Sequence, residues 1–162
     1  MDLESINLIY NQAVDEGFQT ADLQRISLVE RLEWFQIHTE RAYPIFVFEF
    51  EEKVIGWLSL SPYRKGREAL RTTAEISYYI HKDYQNNGFG KQLMRFAIQQ
   101  APHYQFQNLI AILLSVNTPS IALLQLFGFQ EWGRMPNIAK IQSQSIDHLY
   151  LGLPLSFFSK QK

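Results

Sequence analysis

Apolar residues recur along the chain with two different periods, and each period predicts one kind of element. In residues 3–14 they return every three or four positions, which predicts an amphipathic helix with one buried face. Residues 27–41 predict a second helix, because Ser27 suits its N-cap position. The residues expected to give this helix its apolar contacts are Leu28, Leu32, Phe35 and Ile37.

Short runs of β-branched and aromatic residues fill the middle of the chain. Residues 45–50 and 54–60 are two such runs separated by a charged segment, so they predict an antiparallel hairpin. Residues 62–72 are polar and too many for a tight turn, which predicts a functional loop. The elements predicted further on are a strand at 74–82, a helix at 89–100, a strand at 108–116, a helix at 119–127 and strands at 129–135 and 147–153.

This order of elements predicts one mixed α/β domain. A length of 162 residues suits a single domain, and a hydrophobic share of 46% with 14% aromatic residues allows a sizeable core. We expect the domain to cover residues 1–155, followed by a tail at 156–162 that frays at its polar end.

The composition narrows the partners and the chemistry. A formal net charge of -1 argues against nucleic acid or an anionic membrane as an electrostatic partner. The absence of cysteine excludes disulfides, thiolate metal sites and a cysteine nucleophile, and the four histidines show no metal-ligand spacing. The start of the chain lacks the features of a signal peptide, and no apolar run reaches the roughly 18 residues that span a bilayer. We therefore expect a cytoplasmic protein without a metal.

The most informative segment, residues 84–91, lies between a predicted strand and a predicted helix. Glycines there allow the backbone to approach a ligand closely, and the unpaired amides that open a helix suit a phosphate or pyrophosphate. A Walker P-loop would need glycine at Gln85 and serine or threonine at Gln92. A dinucleotide fingerprint would need glycine at Leu93, so both of these motifs are excluded.

Two motifs carry a family resemblance. Gln85, Gly88 and Gly90 form the pattern Gln-x-x-Gly-x-Gly, which resembles the acyl-coenzyme A loop of the GNAT acetyltransferase superfamily. Asn117 and Ser120, followed by a short helix that ends in Gly-Phe at 128–129, are similar to that superfamily's second cofactor motif. From residue 2 to 153 the order of elements is similar to one branch, the phosphinothricin and methionine sulfoximine/sulfone acetyltransferases. Features shared with this branch are Ile9-Tyr10-Asn11, Trp34-Phe35, Tyr43-Pro44, Thr73-Ala74-Glu75-x-Ser77 and Asp147.

The resemblance implies a GNAT fold, with a mixed, mostly antiparallel central sheet flanked by helices. It also implies acetyl-CoA as co-substrate and direct attack of an amine on the thioester in a ternary complex. The implied cofactor contacts are the backbone of Tyr78, Tyr79 and Ile80 on a strand that splays from its neighbour, the loop residues Gln85, Asn86, Asn87, Gly88, Phe89, Gly90 and Lys91, and the side chains of Asn117 and Ser120.

Catalytic and acceptor roles follow from the same resemblance. Glu75 occupies the position of the family's general base, which would remove a proton from the attacking amine. Tyr79 could return a proton to the coenzyme A thiolate, although strand alternation leaves open which of Tyr78 and Tyr79 faces the cleft. The loop at 63–71 corresponds to the acceptor region of the branch, so Arg67 or Arg71 could hold an amino acid's carboxylate.

The sequence departs from the family at two places. Leu124 stands where many members have the tyrosine that reprotonates the thiolate, and where this branch tends to have histidine. The family's first strand is also missing, or lies upstream of the recorded start. An uncovered sheet edge would be available to another chain, and the branch is commonly dimeric, so we expect a homodimer.

Two other functions remain open at this point. The chain could acetylate a different amine, such as a protein amino terminus, a polyamine or an aminoglycoside, although the arginines of the 63–71 loop favour an acceptor with an anionic group. Alternatively, it could be a non-catalytic module that binds acyl-coenzyme A, which Leu124 would suit.

Overall fold

A computed structural model describes residues 2–155, so the predicted tail at 156–162 lies outside the described residues. The described residues form four α-helices, α1 (Asp2–Glu16), α2 (Leu28–Gln36), α3 (Phe89–Gln100) and α4 (Thr118–Leu126). The six strands are β1 (Ile45–Phe50), β2 (Lys53–Pro62), β3 (Thr73–Ile80), β4 (Asn108–Leu114), β5 (Gln130–Ile141) and β6 (Gln144–Pro154). Short 3-10 turns occupy Glu68–Leu70, Lys82–Tyr84 and Ala101–Tyr104. The predicted mixed α/β class is confirmed.

All six strands belong to one sheet in the order β1-β2-β3-β4-β6-β5. Every neighbouring pair is antiparallel except β3 and β4, which run parallel. The pairing of β3 with β4 covers only Thr73 to Glu75 opposite Asn108 to Ile110. Since β3 continues to Ile80 and β4 to Leu114, the two strands separate beyond Glu75 and leave a wedge in the middle of the sheet.

Each face of the sheet has its own core. The larger core lies against α3 and α4 and includes the buried Leu58, Met94 and Leu109. The smaller core lies against α1, where Ile6 and Trp57 are 1% exposed and the Trp57 indole donates to the Ile6 carbonyl at 3.1 Å. The hydrophobic effect on both faces therefore holds β2 and β3 in a central position, with the wedge beside them.

Helix α2 differs most from its prediction. Ser27 caps it as expected, in a capping box with Glu30. The helix ends at Gln36 instead of 41, because Thr39 and Tyr43 form a bridge that turns the chain toward β1. Its inner face also carries a charge, since Arg31 is only 3% exposed. The four residues expected to supply apolar contacts, Leu28, Leu32, Phe35 and Ile37, are instead 43%, 45%, 38% and 39% exposed.

The final hairpin is longer than the two predicted strands. Pairing of β5 with β6 continues past an irregularity between Met135 and Ala139, where Pro136 interrupts the sequence pattern of a strand. Asp147 stabilises this irregularity, because it accepts from the Asn137 amide at 2.9 Å and from Arg134 at 2.8 Å. A Pro-containing, largely exposed strand gives too weak an alternation to be recognised from sequence.

The described residues contain no strand before α1, so β1 forms one edge of the sheet and β5 the other. Within residues 2–155, none of the helices combines the length and the apolar character needed to cross a bilayer.

Candidate active site

The wedge between β3 and β4 leaves backbone groups of β3 without a partner strand. Strand residues direct their N–H and C=O groups alternately to the two sides. His81 donates its amide to Ile55 of β2 at 2.8 Å, whereas the carbonyl of Thr72 accepts from Asn108 on the β4 side. Counting from these two bonds, the backbone groups of Tyr78 and Ile80 face the wedge. The backbone of Tyr79 faces β2 instead, which corrects the expectation that all three residues present free groups.

The glycine-containing loop closes one end of the wedge. Asn86 and Gly88 both adopt the left-handed conformation, with φ of 62° and 83°, and Gly88 is the N-cap of α3. The chain therefore turns sharply and directs the first amides of α3 toward the wedge, at the positive end of the helix. Gln85 joins the loop to the end of β3, since its side-chain amide donates to the Ile80 carbonyl at 3.2 Å. This arrangement suits a pyrophosphate group.

Gly90 lies where α3 approaches two other elements. A Cβ atom at this position would be 3.5 Å from Leu123 of α4 and 3.8 Å from Ile80 of β3. The space accommodates a methyl group but not a larger side chain, so glycine permits the close approach of helix and strand beside the phosphate loop.

Helix α4 forms the opposite wall. Asn117 is 4% exposed and caps α4, because its side-chain oxygen accepts from the Ser120 amide at 3.3 Å. Tyr78 extends its hydroxyl to the Ser120 carbonyl at 3.5 Å, and burial raises the pKa of Tyr78 to about 12. Asn117 and Ser120 thus line the same cavity as the glycine-containing loop.

Together these elements enclose a cleft of about 590 Å³, hereafter the cofactor cleft. Of the residues predicted to contact the cofactor, those lining it are Tyr78, Tyr79, Ile80, Gln85, Asn86, Gly88, Gly90, Lys91, Asn117 and Ser120. Asn87 and Phe89 are outside this lining. The Phe89 ring packs against Phe48 and Phe50, at 5.2 Å and 5.4 Å between centroids, so its side chain holds the loop against the β1–β2 hairpin.

A second cavity, of about 530 Å³, lies on the α1 side of the sheet. Its charged residues are Asp22, Glu30, Arg31, Arg64 and Glu75, and its aromatic residues include Tyr10, Trp34, Trp57, Tyr63, Tyr79 and Tyr150. The residues that line both cavities are Gln19 and Tyr79. The two cavities therefore meet at the end of β3, and we call the second one the acceptor cavity.

Glu75 projects into the acceptor cavity from β3. Burial raises the pKa of its carboxyl above the ordinary value, and the charge of Arg64 opposes this shift. A carboxylate with a raised pKa is a stronger base, which is the direction required to take a proton from an ammonium group. Glu75 thus combines a position at the cavity wall with suitable chemistry.

Tyr79 lies at the junction of the two cavities, but its hydroxyl is too weak an acid for the predicted role. Its ring packs 4.9 Å from that of Trp57 and 5.0 Å from that of Tyr10, and burial together with the nearby Tyr10 raises the pKa of its hydroxyl. A thiol has a pKa of about 8.5, so the thiolate is a much weaker base than this tyrosinate. Tyr79 can donate a hydrogen bond at the junction, but its acidity argues against the predicted role as proton donor to the thiolate.

The predicted acceptor arginines lie elsewhere. Arg67 and Arg71 line a separate cavity beside the Glu68–Leu70 turn, and Arg71 pairs with Glu68 at 3.1 Å on the surface. The loop turns at Gly66, with φ of 75°, so its residues beyond Arg64 face away from Glu75. Arg64 is the loop arginine that reaches the acceptor cavity.

Leu124 also lies away from both cavities. It is 1% exposed and packs in the larger core, whereas the neighbouring Leu123 lines the cofactor cleft. The described part of the chain contains no group of three or more His, Asp or Glu side chains that could hold a metal ion.

Sequence reasoning missed much of the acceptor cavity. Residues 17–27 contribute Thr20 and Asp22, both hydrogen-bonded to the Tyr10 hydroxyl, because Asn11 holds this segment against α1 through the amide and carbonyl of Ile26. Nothing in the local pattern of α2 distinguished Arg31 as its buried residue, because two of the rings around it, Tyr10 and Trp57, belong to α1 and β2. Nothing in the local pattern of residues 17–27 indicates which cavity they reach.

Comparison with known proteins identifies the class. Residues 4–129 match the family described as "Acetyltransferase (GNAT) family", which covers most of the chain. The chain therefore belongs to the GNAT acetyltransferases, a family whose members take acetyl-CoA as co-substrate.

Particular relatives are similar over nearly their whole length. A Bacillus subtilis protein named "Putative phosphinothricin acetyltransferase YwnH" is 36% identical over 156 residues, which is 96% of this chain and 94% of that protein. The L-methionine sulfoximine/L-methionine sulfone acetyltransferase of Pseudomonas aeruginosa is 30% identical, with 95% and 90% covered. A solved phosphinothricin acetyltransferase from Sinorhizobium meliloti, in complex with AcCoA, has a TM-score of 0.86 and 29% identity, with 94% of this chain and 83% of that one covered.

Proposed function

We propose that the chain transfers the acetyl group of acetyl-CoA to the α-amino group of a small, amino-acid-like acceptor, in a ternary complex. The observation that carries this proposal is the meeting of two cavities at Tyr79, one with features for a pyrophosphate and the other with Glu75. The names of the relatives support phosphinothricin, methionine sulfoximine and methionine sulfone as the first acceptors to test.

The cofactor cleft supports binding of acetyl-CoA by its backbone. The amides that open α3 would bind the pyrophosphate, and the free backbone groups of Tyr78 and the Ile80 amide would pair with the pantetheine arm, since the Ile80 carbonyl is already held by Gln85. The same edge would hold the thioester near Tyr79, where the acceptor cavity begins. Such alignment of two reactants can itself lower a barrier by about 7–11 kcal/mol in the best intramolecular reactions.

Glu75 would then perform the proton transfer. An aliphatic ammonium has a pKa near 10 and must lose a proton before its nitrogen can attack. Glu75 accepts that proton, directly or through one water, and the nitrogen forms a bond to the thioester carbon as the carbon–sulfur bond breaks. The nitrogen loses its second proton as the amide forms, and this proton passes through water to the thiolate, which leaves readily because a thiol pKa is near 8.5. No described residue is required for this last step, so the buried Leu124 is compatible with turnover.

The charges of the acceptor cavity support a zwitterionic acceptor over a polycation. Asp22, Glu30 and Glu75 share the cavity with Arg31 and Arg64, whereas a polyamine or an aminoglycoside calls for an acidic site without cations. This mixture suits a molecule that carries one ammonium and one anionic group.

The test is release of free coenzyme A from acetyl-CoA by the purified protein. The acceptors are amino acids, phosphinothricin, methionine sulfoximine and sulfone, polyamines and peptides with free amino termini, each across a range of pH. We expect rapid release with one or more of the amino-acid-like acceptors. Release with polyamines or peptides alone would refute the proposed acceptor class, and binding of acetyl-CoA without release for any acceptor would favour the non-catalytic module.

A further inference from the structure

One cation in the acceptor cavity is buried without a counter-ion. Arg31 is 3% exposed, and it forms no ion pair within residues 2–155. Its Nε donates weakly to Asn7 Oδ1 at 3.4 Å, and its Nη2 has no hydrogen-bond partner in the described structure. A buried guanidinium normally has its donors satisfied, because an unpaired buried charge is costly.

Aromatic rings surround this guanidinium. The central carbon lies 4.1 Å from the centroid of the Tyr10 ring, 4.8 Å from that of Trp34 and 5.8 Å from that of Trp57. Such contacts stabilise a desolvated cation, and they orient the group. They do not replace a hydrogen-bonding anion, since aromatic faces accept N–H donors only weakly.

Arg31 lies in the same cavity as Glu75, the proposed base. Arg31 lines this cavity from α2 and Glu75 lines it from β3. The other cation there, Arg64, belongs to an exposed part of the loop and is screened by solvent. None of the carboxylates of the cavity pairs directly with Arg31: Asp22, whose charge still acts on Arg31, accepts from Tyr10, and Glu30 is occupied by the cap of α2.

We propose that Arg31 binds the carboxylate of the acceptor, so that this enzyme selects α-amino acids over simple amines. The guanidinium matches a carboxylate in geometry and in charge, and binding would supply the missing partner. The acceptor then has its carboxylate at Arg31 and its amino group toward Glu75. This inference rests on the proposed function, because it takes an amino acid as the occupant of the cavity.

The first arm of the experiment uses the unmodified protein. Isothermal titration calorimetry measures binding of methionine sulfone, its carboxamide and 3-(methylsulfonyl)propylamine, which lacks the carboxylate altogether, in the presence of coenzyme A. The same comparison is made for other L-amino acids and their carboxamides. We expect the carboxylate forms to bind at least 30-fold more tightly, since pairing of a buried charge carries such an effect. Equal affinity for every acid and its carboxamide would overturn the inference.

The second arm compares Arg31→Lys with Arg71→Lys. Lysine retains the charge but loses the planar pair of donors, so Arg31→Lys should lose at least ten-fold of the preference for carboxylate over carboxamide. Arg71→Lys is the matched control, because Arg71 is exposed and outside the acceptor cavity. Affinity for acetyl-CoA reports whether each variant remains folded. A merely structural Arg31 would leave the preference intact in any folded variant, and that result would contradict the proposal.

Binding and turnover together separate the two proposals. A carboxylate preference that depends on Arg31, without release of coenzyme A, would support the role of Arg31 and refute the proposed acetyl transfer. Rapid acetylation of amino acids with a preference independent of Arg31 would support the acetyl transfer and refute the role of Arg31.

Discussion

The two cavities that meet at Tyr79 are built in different ways. The cofactor cleft takes most of its wall from one continuous stretch, the end of β3, the glycine loop and the start of α3. The acceptor cavity takes its wall from both ends of the chain, from Tyr10 on α1 to Tyr150 on β6. The first offers mainly backbone groups, and the second offers side chains. The backbone groups of the cofactor cleft are therefore positioned by neighbouring residues in the sequence. The side chains of the acceptor cavity are positioned by packing between distant segments.

The sharpest test of this difference is Glu75→Gln, which alters the acceptor cavity alone. Loss of the proposed general base should lower kcat by about 10²–10⁴-fold, while the Kd for acetyl-CoA stays unchanged. Stopped-flow thiol release and calorimetry measure the two quantities. Glu68→Gln is the control, since Glu68 is exposed beside a different cavity. A full rate in Glu75→Gln would exclude Glu75 as the base.

The same variant should also be more stable at neutral pH. The folded-state pKa of Glu75 is raised, so folded protein binds more protons than unfolded protein between the unfolded and folded pKa values. Stability therefore falls as pH rises through this window, and the charged carboxylate destabilises the fold at pH 7. We expect Glu75→Gln to raise Tm at pH 7 and to have no such advantage below the unfolded pKa of about 4.3. An equal rise in Tm at both pH values would contradict a raised folded-state pKa for Glu75.

The second variant, Gly88→Ala, alters the cofactor cleft alone. Nothing lies within 4 Å of a Cβ at Gly88, so the effect comes from its φ of +83°. Alanine in this left-handed conformation is strained by about 1–2 kcal/mol. Because the loop would move to relieve this strain, the Kd for acetyl-CoA should rise by about 5–30-fold. Gly66→Ala is a matched control with φ of +75° and equally open space. It should lose similar stability, measured by denaturant, without loss of affinity.

A third, smaller effect concerns pH. Arg64 lowers the pKa of Glu75, so Arg64→Gln should raise that pKa further. The acidic limb of kcat/KM should move to higher pH by a few tenths of a unit, as expected for a screened surface charge. Arg67→Gln, outside the acceptor cavity, should leave the limb in place. A shift to lower pH would show that another group controls this limb.

The smallest effect is expected at the junction of the cavities. Because burial raises the pKa of Tyr79, its hydroxyl retains its proton, and Tyr79→Phe removes only a hydrogen bond. We expect a loss in kcat of less than about ten-fold, in the range of one neutral hydrogen bond. A loss above 100-fold with normal affinity for acetyl-CoA would instead restore Tyr79 as the proton donor.

Several elements could be predicted because their signals are local. The helix over residues 3–14 and the strands at 45–50 and 108–116 have strong patterns of apolar residues, and the structure agrees within a few residues at each end. The glycine loop was predictable for the same reason, since positive φ at Gly88 and the start of α3 depend on adjacent residues. Asn117, which its motif singled out, caps α4 by accepting from the Ser120 amide three residues later.

The failures have a common physical cause. Arg67 and Arg71 were expected in the acceptor site because they belong to the loop before β3, but the turn at Gly66 directs them elsewhere. The apolar residues of α2 were expected to be buried, yet aromatic rings from α1 and β2 make Arg31 the buried residue. In each case the sequence identified the element correctly. The error concerned which of its residues tertiary packing buries or directs into a cavity.

The order of elements, the phosphate loop and Glu75 on β3 are thus properties of the amino-acid sequence alone, because hydrogen bonds and periodicity within a few residues define them. The position of the wedge opposite the loop and the burial of Arg31 beside Glu75 arise only when α1, α2 and the sheet pack together. Packing energies are shared among many residues distant in sequence, so no local pattern records them.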